Sequence, residues 1–399
     1  MVPACFQFSA RFKRLAVIVC VFMGTQCAQF HSEGSALGYL LLGDGAGGGA
    51  AGILDWDATD WSHRRILTIN AGTIGTDLAA APVLIQLDSS RIDYTVTQPG
   101  GADLRFYDAS GVLLSHEIET WNSGGTSIVW VKVPSITAGS TIGQIRMYYG
   151  NASAADGQST TDVWSESYSL VLHLNETTGG GGTRADASGN STVGTFVDAD
   201  GDSNTAAAGR IGTGDGFNGD ADEINMGNQA GFALTTFTIT GWFQTSCVPF
   251  CTLVTRNIAI TNRNYYLGLW DGAFVPHTTG EIVFRTSSGP VDVDIGSGAG
   301  TTYNDGAWHY FAAVLDGTTL ASLYLDGGAA LTQVPAGVPD LPAANLRIGH
   351  DTFSTGMRYF SGTMDEIRIS SVARSADWIA LQYLSQSDSL LTFGAEEIN

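Results

Sequence analysis

Positive charge is what this 399-residue chain has least of. Lysine and arginine together number 18 against 39 aspartates and glutamates, a formal net charge of −21. Such a chain repels phosphate backbones, which argues against nucleic acid as a partner. The acidity suits an extracellular protein that recruits calcium, although surface solubility alone also accounts for it. Cysteine is scarce too. Of the five, Cys5, Cys20 and Cys27 fall near the start, and only Cys247 and Cys251 lie beyond. Three catalytic signatures are missing: a Gly-x-Ser-x-Gly elbow, His-Glu-x-x-His and a P-loop. What is abundant is glycine, 51 residues, set with Thr, Ser and Asp between short apolar runs. That pattern predicts an all-β protein with many turns, and the length predicts two domains.

Arg11, Lys13 and Arg14 precede the apolar run Leu15–Met23. A basic segment followed by a short apolar one reads as an export signal over residues 1–27; a membrane-spanning helix needs ~20 apolar residues. Cleavage near Gly24–Cys27 gives a secreted or cell-envelope protein. Lipid attachment at Cys27 is the alternative, against which Gln26 stands, and an uncleaved anchor is the third reading. Residues 28–54 are rich in Gly and Ala and read as a flexible linker.

Residues 55–160 contain five strand candidates: Ile66–Ile69, Pro82–Leu87, Leu104–Tyr107, Ser127–Val133 and Ile142–Tyr149. Ile128–Val133 is apolar on both faces for most of its length, as in a strand inside a β-sandwich, and Pro134 is expected to end it. Glu117 and Glu119 lie two apart and share one face of a strand. Such a pair can do acid–base work on a glycosidic bond. A solvated face, or pairing with Arg64, Arg65 or Arg105, is the favoured reading. Trp61–Arg65 (W-S-x-R-R), Gly101–Phe106 (G-A-D-L-R-F), Val129–Pro134 (V-W-V-K-V-P) and Met147–Asn151 (M-Y-Y-G-N) resemble, in order, a bacterial domain of unknown function found in exported proteins. That resemblance brings no assigned chemistry.

Residues 163–397 form the second expected domain. His173 alternates with leucines and is expected on the face opposite Leu172 and Leu174; a lone histidine in this setting reads as structural, with a metal role the alternative. Trp308–Leu315 and Leu320–Leu325 are two apolar runs joined across Asp316-Gly317 and closed by Asp326-Gly327, a strong hairpin signal. This hairpin, the alternating Phe237–Phe243 and Gly362–Ile369 (G-T-M-D-E-I-R-I) resemble the laminin-G-like, concanavalin-A-like jelly rolls. The resemblance implies a two-sheet jelly roll that ends in a short helical turn and a final strand; the residues themselves place a short helix at Ala376–Ser385, capped by Ser375 with Trp378, Leu381 and Leu384 on one face, and a closing strand at Leu390–Gly394. The resemblance also implies that the loop Asp186–Asn190 (D-A-S-G-N) lies near Asp365. Asp186, Asn190 and Asp365 would then hold a structural calcium ion. The alternative is that Asp186 caps a turn and Asp365 pairs with Arg368 or a backbone amide. Asp198–Asn204 opens like a calcium-hand loop but has Ser203 and Gly209 where Gly and Glu are needed, so an acidic surface loop is expected.

In an exported protein Cys247 and Cys251 are expected to form a small-loop disulfide; a redox pair would read C-x-x-C, and two thiols alone lack the remaining metal ligands. Glycoside hydrolases of this fold carry a strand reading E-x-D-x-x-E or E-x-D-x-E, and none occurs here. The expectation is therefore a non-catalytic, secreted or cell-surface module whose partner is a glycan or a cell-surface protein. A structural or adhesion protein of the envelope is the second class, and a polysaccharide hydrolase with an unrecognised site is the third.

Overall fold

The computed structural model describes residues 60–176, 182–198, 206–259, 261–272, 276–352 and 358–399. The export signal, the Gly-rich linker and residues 199–204 of the acidic loop lie outside the described residues. Asp55–Asn399 is one compact unit, and among the described residues it is built almost wholly from antiparallel strands.

Two small sheets are built from the N-terminal strands, joined in one of them by the last strand of the chain. One has the order Leu391–Ile398, His63–Ile69, Gly143–Tyr149, Arg105–Asp108, Leu113–Leu114. The other has Leu78–Leu87, Ser127–Ile136, His116–Thr120. Alternation places Leu67, Ile69, Ile145 and Met147 of the first, with Val83, Ile85, Val129 and Val131 of the second, in one buried apolar core. The central strand runs through Pro134 instead of ending there. The amide of Lys132 donates to Ser115 O, so residue 134 faces the same side, two residues on. There the neighbouring strand has already ended, its first pair being His116 with Val131. The missing N–H therefore costs no ladder bond.

The jelly roll has two large sheets. The outer one includes Cys251–Ala259, Asn262–Leu269 and Ile282–Ser288. The inner one centres on Ser361–Ser370, Phe237–Gln244, Trp308–Asp316 and Leu320–Leu325, and Tyr168–Leu172 also pairs with Ser361–Ser370. The hairpin reads as expected, with Asp316 opposite Leu320 and Gly317 at φ +53°, a region open to glycine. Phe237, Ile239, Phe243, Ile367 and Ile369 face the outer sheet and pack with Leu253, Leu267 and Phe284. The opposite face of the inner sheet, with Trp242, Tyr310, Ala312 and Val314, is buried too, in the core that also holds the N-terminal strands.

Helix Ala376–Gln386 seals that second face. Ser375 caps it as expected, its hydroxyl accepting from the Trp378 amide. Ser385 Oγ accepts from Leu84 N at 2.8 Å, and Gln382 Nε2 donates to Pro82 O at 2.9 Å. The last strand then departs from what the resemblance implied. It does not close the jelly roll; Leu391–Ile398 pairs with His63–Ile69, from His63 opposite Ile398 to Ile69 opposite Leu391. The helix lies against Leu78–Leu87, and the chain that follows it pairs with the edge of the sheet that His63–Ile69 would otherwise leave open.

Candidate functional site

The most concentrated polar chemistry lies where the N-terminal strands meet the inner jelly-roll sheet. Glu117 and Glu119 project from His116–Thr120. The pairing passes from Ile118 opposite Val129 to Thr120 opposite Ile128, so Glu119 sits in a bulge, a device that re-aims a side chain. Trp130 Nε1 donates to Glu119 Oε2 at 2.8 Å, and the Trp164 indole donates to Glu117 Oε2. This corrects the expectation of a solvated or Arg-paired face. Arg64 bonds Glu397, Arg65 bonds Gly394 O, and Arg105 bonds backbone carbonyls.

His173 approaches from the jelly roll. As expected it lies opposite Leu172 and Leu174, which point into the inter-sheet core. Its Nδ1 is 2.8 Å from Glu366 Oε1 and 3.4 Å from Glu119 Oε2, and its Nε2 is 3.4 Å from Glu117 Oε2. Glu366 stands at φ +55°, where Asp365 pairs with Trp242 and Arg368 with Thr240 across a register shift. Backbone strain of this kind persists only where the surroundings over-determine it. Arg368 donates to the second oxygen of Glu366, and its guanidinium lies 4.2 Å from the Trp130 ring centre and 4.5 Å from that of Trp164.

Enclosure sets the electrostatics. Burial, reinforced by the charges of Glu366 and Glu117, pushes the Glu119 carboxyl up to about 8. Burial alone would lower His173, but Glu366, Glu119 and Glu117 outweigh it and hold the imidazole well above its ordinary value. Burial also opposes ionisation of Glu366, yet Arg368 and His173 hold it below the usual range. Asp365 is raised well above it by burial and by Glu366.

Of the residues expected to hold calcium, Asp186 and Asn190 share one loop. Asp186 Oδ1 accepts from the amides of Val171 and Ser188, and Asn190 Nδ2 donates to Tyr168 O and Ser188 Oγ. Asp365 has another neighbour, its Oδ2 accepting from Ile211 N at 2.7 Å. Asp186 Oδ2 and Asp365 Oδ1 are each buried without a hydrogen-bond partner.

The second candidate is open. A groove of about 870 Å³ is lined by Asn218, Asp220, Phe250, Asp271 and Tyr359 beside the loop 246–250. Cys247 and Cys251 are disulfide-bonded across that loop, with Cα atoms 6.2 Å apart. Tyr359 stacks on His350 at 3.9 Å between ring centres, and Arg358 lies 4.4 Å from the Phe250 ring centre. Sequence spacing did not point to Phe250 or Tyr359, because the groove assembles from four separated segments.

Residues 217–380 match the family model described as the concanavalin A-like lectin/glucanases superfamily, and residues 100–206 match a domain of unknown function (DUF2341). The chain carries a laminin-G-like domain preceded by that domain of unknown function. No curated protein matches the chain. Among solved structures, the binding domain of Paraclostridial mosquitocidal protein 1 aligns over 57% of this chain and 53% of its own, at 14% identity and TM-score 0.43. Domain 4 of AbnA, a GH43 extracellular arabinanase from Geobacillus stearothermophilus solved with arabinotriose, aligns over 54% of this chain and 98% of its own, at 17% identity and TM-score 0.42. The botulinum neurotoxin serotype D binding domain aligns over 55% and 52%, at 15% identity and TM-score 0.40. The chain thus spans about half the length of the first and third.

Proposed function

We propose that the protein is an exported, non-catalytic binding module of the cell surface or surroundings that takes a glycan in the groove beside the Cys247–Cys251 loop. The observation that carries this reading is the groove itself. Phe250 and Tyr359 offer apolar ring surface, and Asn218, Asp220 and Asp271 offer polar groups along the same walls. Apolar surface with a few polar groups that fix orientation is the usual character of a small-ligand site. Tyr359 is held against His350, which lowers the ordering cost of binding. Glu117 and Glu119, the carboxylates closest to a hydrolase pair in sequence, are enclosed and bonded to indoles, away from this groove.

A glycan array probed with residues 55–399, in calcium and again in chelator, tests the reading. Saturable binding to one sugar class supports it. Failure to bind any sugar at micromolar protein moves the reading to an adhesion module with a protein partner. Release of reducing sugar, abolished in Asp271→Asn, would make the protein a hydrolase instead.

A structural calcium at the Asp186 loop belongs to the same proposal, supported by the unpartnered Asp186 Oδ2. At one hundred times its dissociation constant, calcium stabilises by about 2.7 kcal/mol. The melting midpoint should rise by several degrees. A midpoint that moves by less than a degree between calcium and chelator removes calcium from the proposal.

A further inference from the structure

We propose that Glu119, His173 and Glu366 are the ligands of one divalent transition-metal ion, of the zinc or manganese class, that clamps the N-terminal strands to the jelly roll. The proposal goes beyond glycan binding and does not depend on it. One potential ligand atom from each of the three lies within 4.8 Å of the other two, the only such His, Cys, Asp or Glu group among the described residues. His173 Nδ1 is 2.8 Å from Glu366 Oε1 and 3.4 Å from Glu119 Oε2. Donor atoms sharing an ion at ~2.1 Å stand roughly 3–3.5 Å apart, so little movement is needed to admit it.

Two further observations point to an ion. The Glu119 side chain is wholly enclosed, yet its Oε1 has no hydrogen-bond partner; His173 Nε2, on a side chain 8% exposed, has none either. The carboxyl groups also outnumber the permanent cations. Glu117, Glu119, Asp365 and Glu366 are four carboxyl groups with enclosed side chains facing one permanent cation, Arg368. An enclosed surplus of negative charge is costly unless protons or a cation meet it.

The surroundings resemble the outer shell of a metal site. With Nδ1 on the ion, neutral His173 carries its proton on Nε2, which lies 3.4 Å from Glu117 Oε2 and needs a small rotation to donate to it. That rotation would complete a carboxylate–histidine–metal arrangement. Glu119 is oriented by the Trp130 indole and Glu366 by Arg368. One imidazole nitrogen with carboxylate oxygens suits zinc or manganese, whereas calcium takes oxygen ligands only. The site is sealed, so the ion's role is structural.

The test uses the intact chain, stripped with chelator, dialysed and titrated with Zn²⁺ or Mn²⁺. The expected result is one tightly held equivalent by elemental analysis, undisturbed by millimolar Ca²⁺. Pulsed electron paramagnetic resonance of the Mn²⁺ form should show coupling to a single imidazole nitrogen, lost in His173→Gln. Glu119→Gln should weaken binding at least 100-fold, and Glu117→Gln, acting through His173, about 10- to 100-fold. No bound metal above trace overturns the proposal, as does Mn²⁺ bound without nitrogen coupling, which would place the ion elsewhere. Should the variants not fold, the nitrogen coupling of the unaltered chain decides alone.

Discussion

At the junction, Glu117, Glu119, Glu366, His173 and Arg368 are sealed from water, whereas the groove beside the disulfide opens to solvent along Asp220, Ser246 and the exposed Val248. Both regions combine aromatic rings with acidic groups, and their physics differs because of access. In the enclosed region every charge must find a partner, and each change there acts on stability. In the open groove water satisfies what the protein does not, and a change there acts on binding. Stability measurements should therefore move with the first region and ligand binding with the second.

Arg368 offers the largest break in that contrast. Replacing it by methionine keeps much of its volume between Trp130 and Trp164 but leaves Glu366 buried without its guanidinium partner, with His173 alone beside it. Loss of one partner from a buried pair costs about 3–5 kcal/mol, to be read from urea unfolding at neutral pH. Adding Glu366→Gln should recover a large part of the loss. A loss under ~1 kcal/mol would mean that the cluster does not rely on charge pairing.

His116 sharpens the comparison from another side, as an enclosed histidine with no carboxylate partner. It is 1% exposed, neither ring nitrogen has a hydrogen-bond partner, and it packs edge-on to Phe106. Burial, with a smaller contribution from Arg105, lowers it from 6.5 to about 4. Between those values the unfolded chain binds more protons than the folded one. Stability therefore falls as pH drops through this window, by up to ~3 kcal/mol once below it. His116→Phe should flatten that part of the pH–stability curve, and an unchanged slope would show that the acid sensitivity arises elsewhere.

Most of the fold was legible in the sequence because its signals are local. Alternation at Phe237–Phe243, the Asp-Gly turns and the Ser375 cap each act within a few residues. The two failures were questions of neighbours. Pro134 ends a strand only if a partner waits on its N–H side, and Leu391–Ile398 goes where an open edge lies. The junction cluster was half legible: Glu117, Glu119 and His173 each stood out alone, and the alternation placed His173 correctly. What the sequence could not show is that Glu117 and Glu366, 249 positions apart in number, share one enclosed volume. The groove was less legible still, because no periodicity links Asn218, Phe250 and Tyr359.

Tyr359 gives the smallest stability effect and the sharpest test of the open region. The ring stacks on His350, whose Nδ1 is 2.7 Å from Glu223 Oε2. An aromatic pair of this kind contributes about 0.5–1.5 kcal/mol, so Tyr359→Ala should lower stability by about 1 kcal/mol. If the ring is a groove anchor, the same change should weaken glycan binding by about tenfold or more, the scale of a binding hot spot. Tyr359→Phe keeps the stack and separates ring from hydroxyl: retained affinity assigns the effect to ring surface, and lost affinity assigns it to the hydroxyl. If Tyr359→Ala leaves binding intact while Arg368→Met abolishes it at a temperature where both remain folded, the contrast between the two regions is reversed, and the ligand is read through the junction.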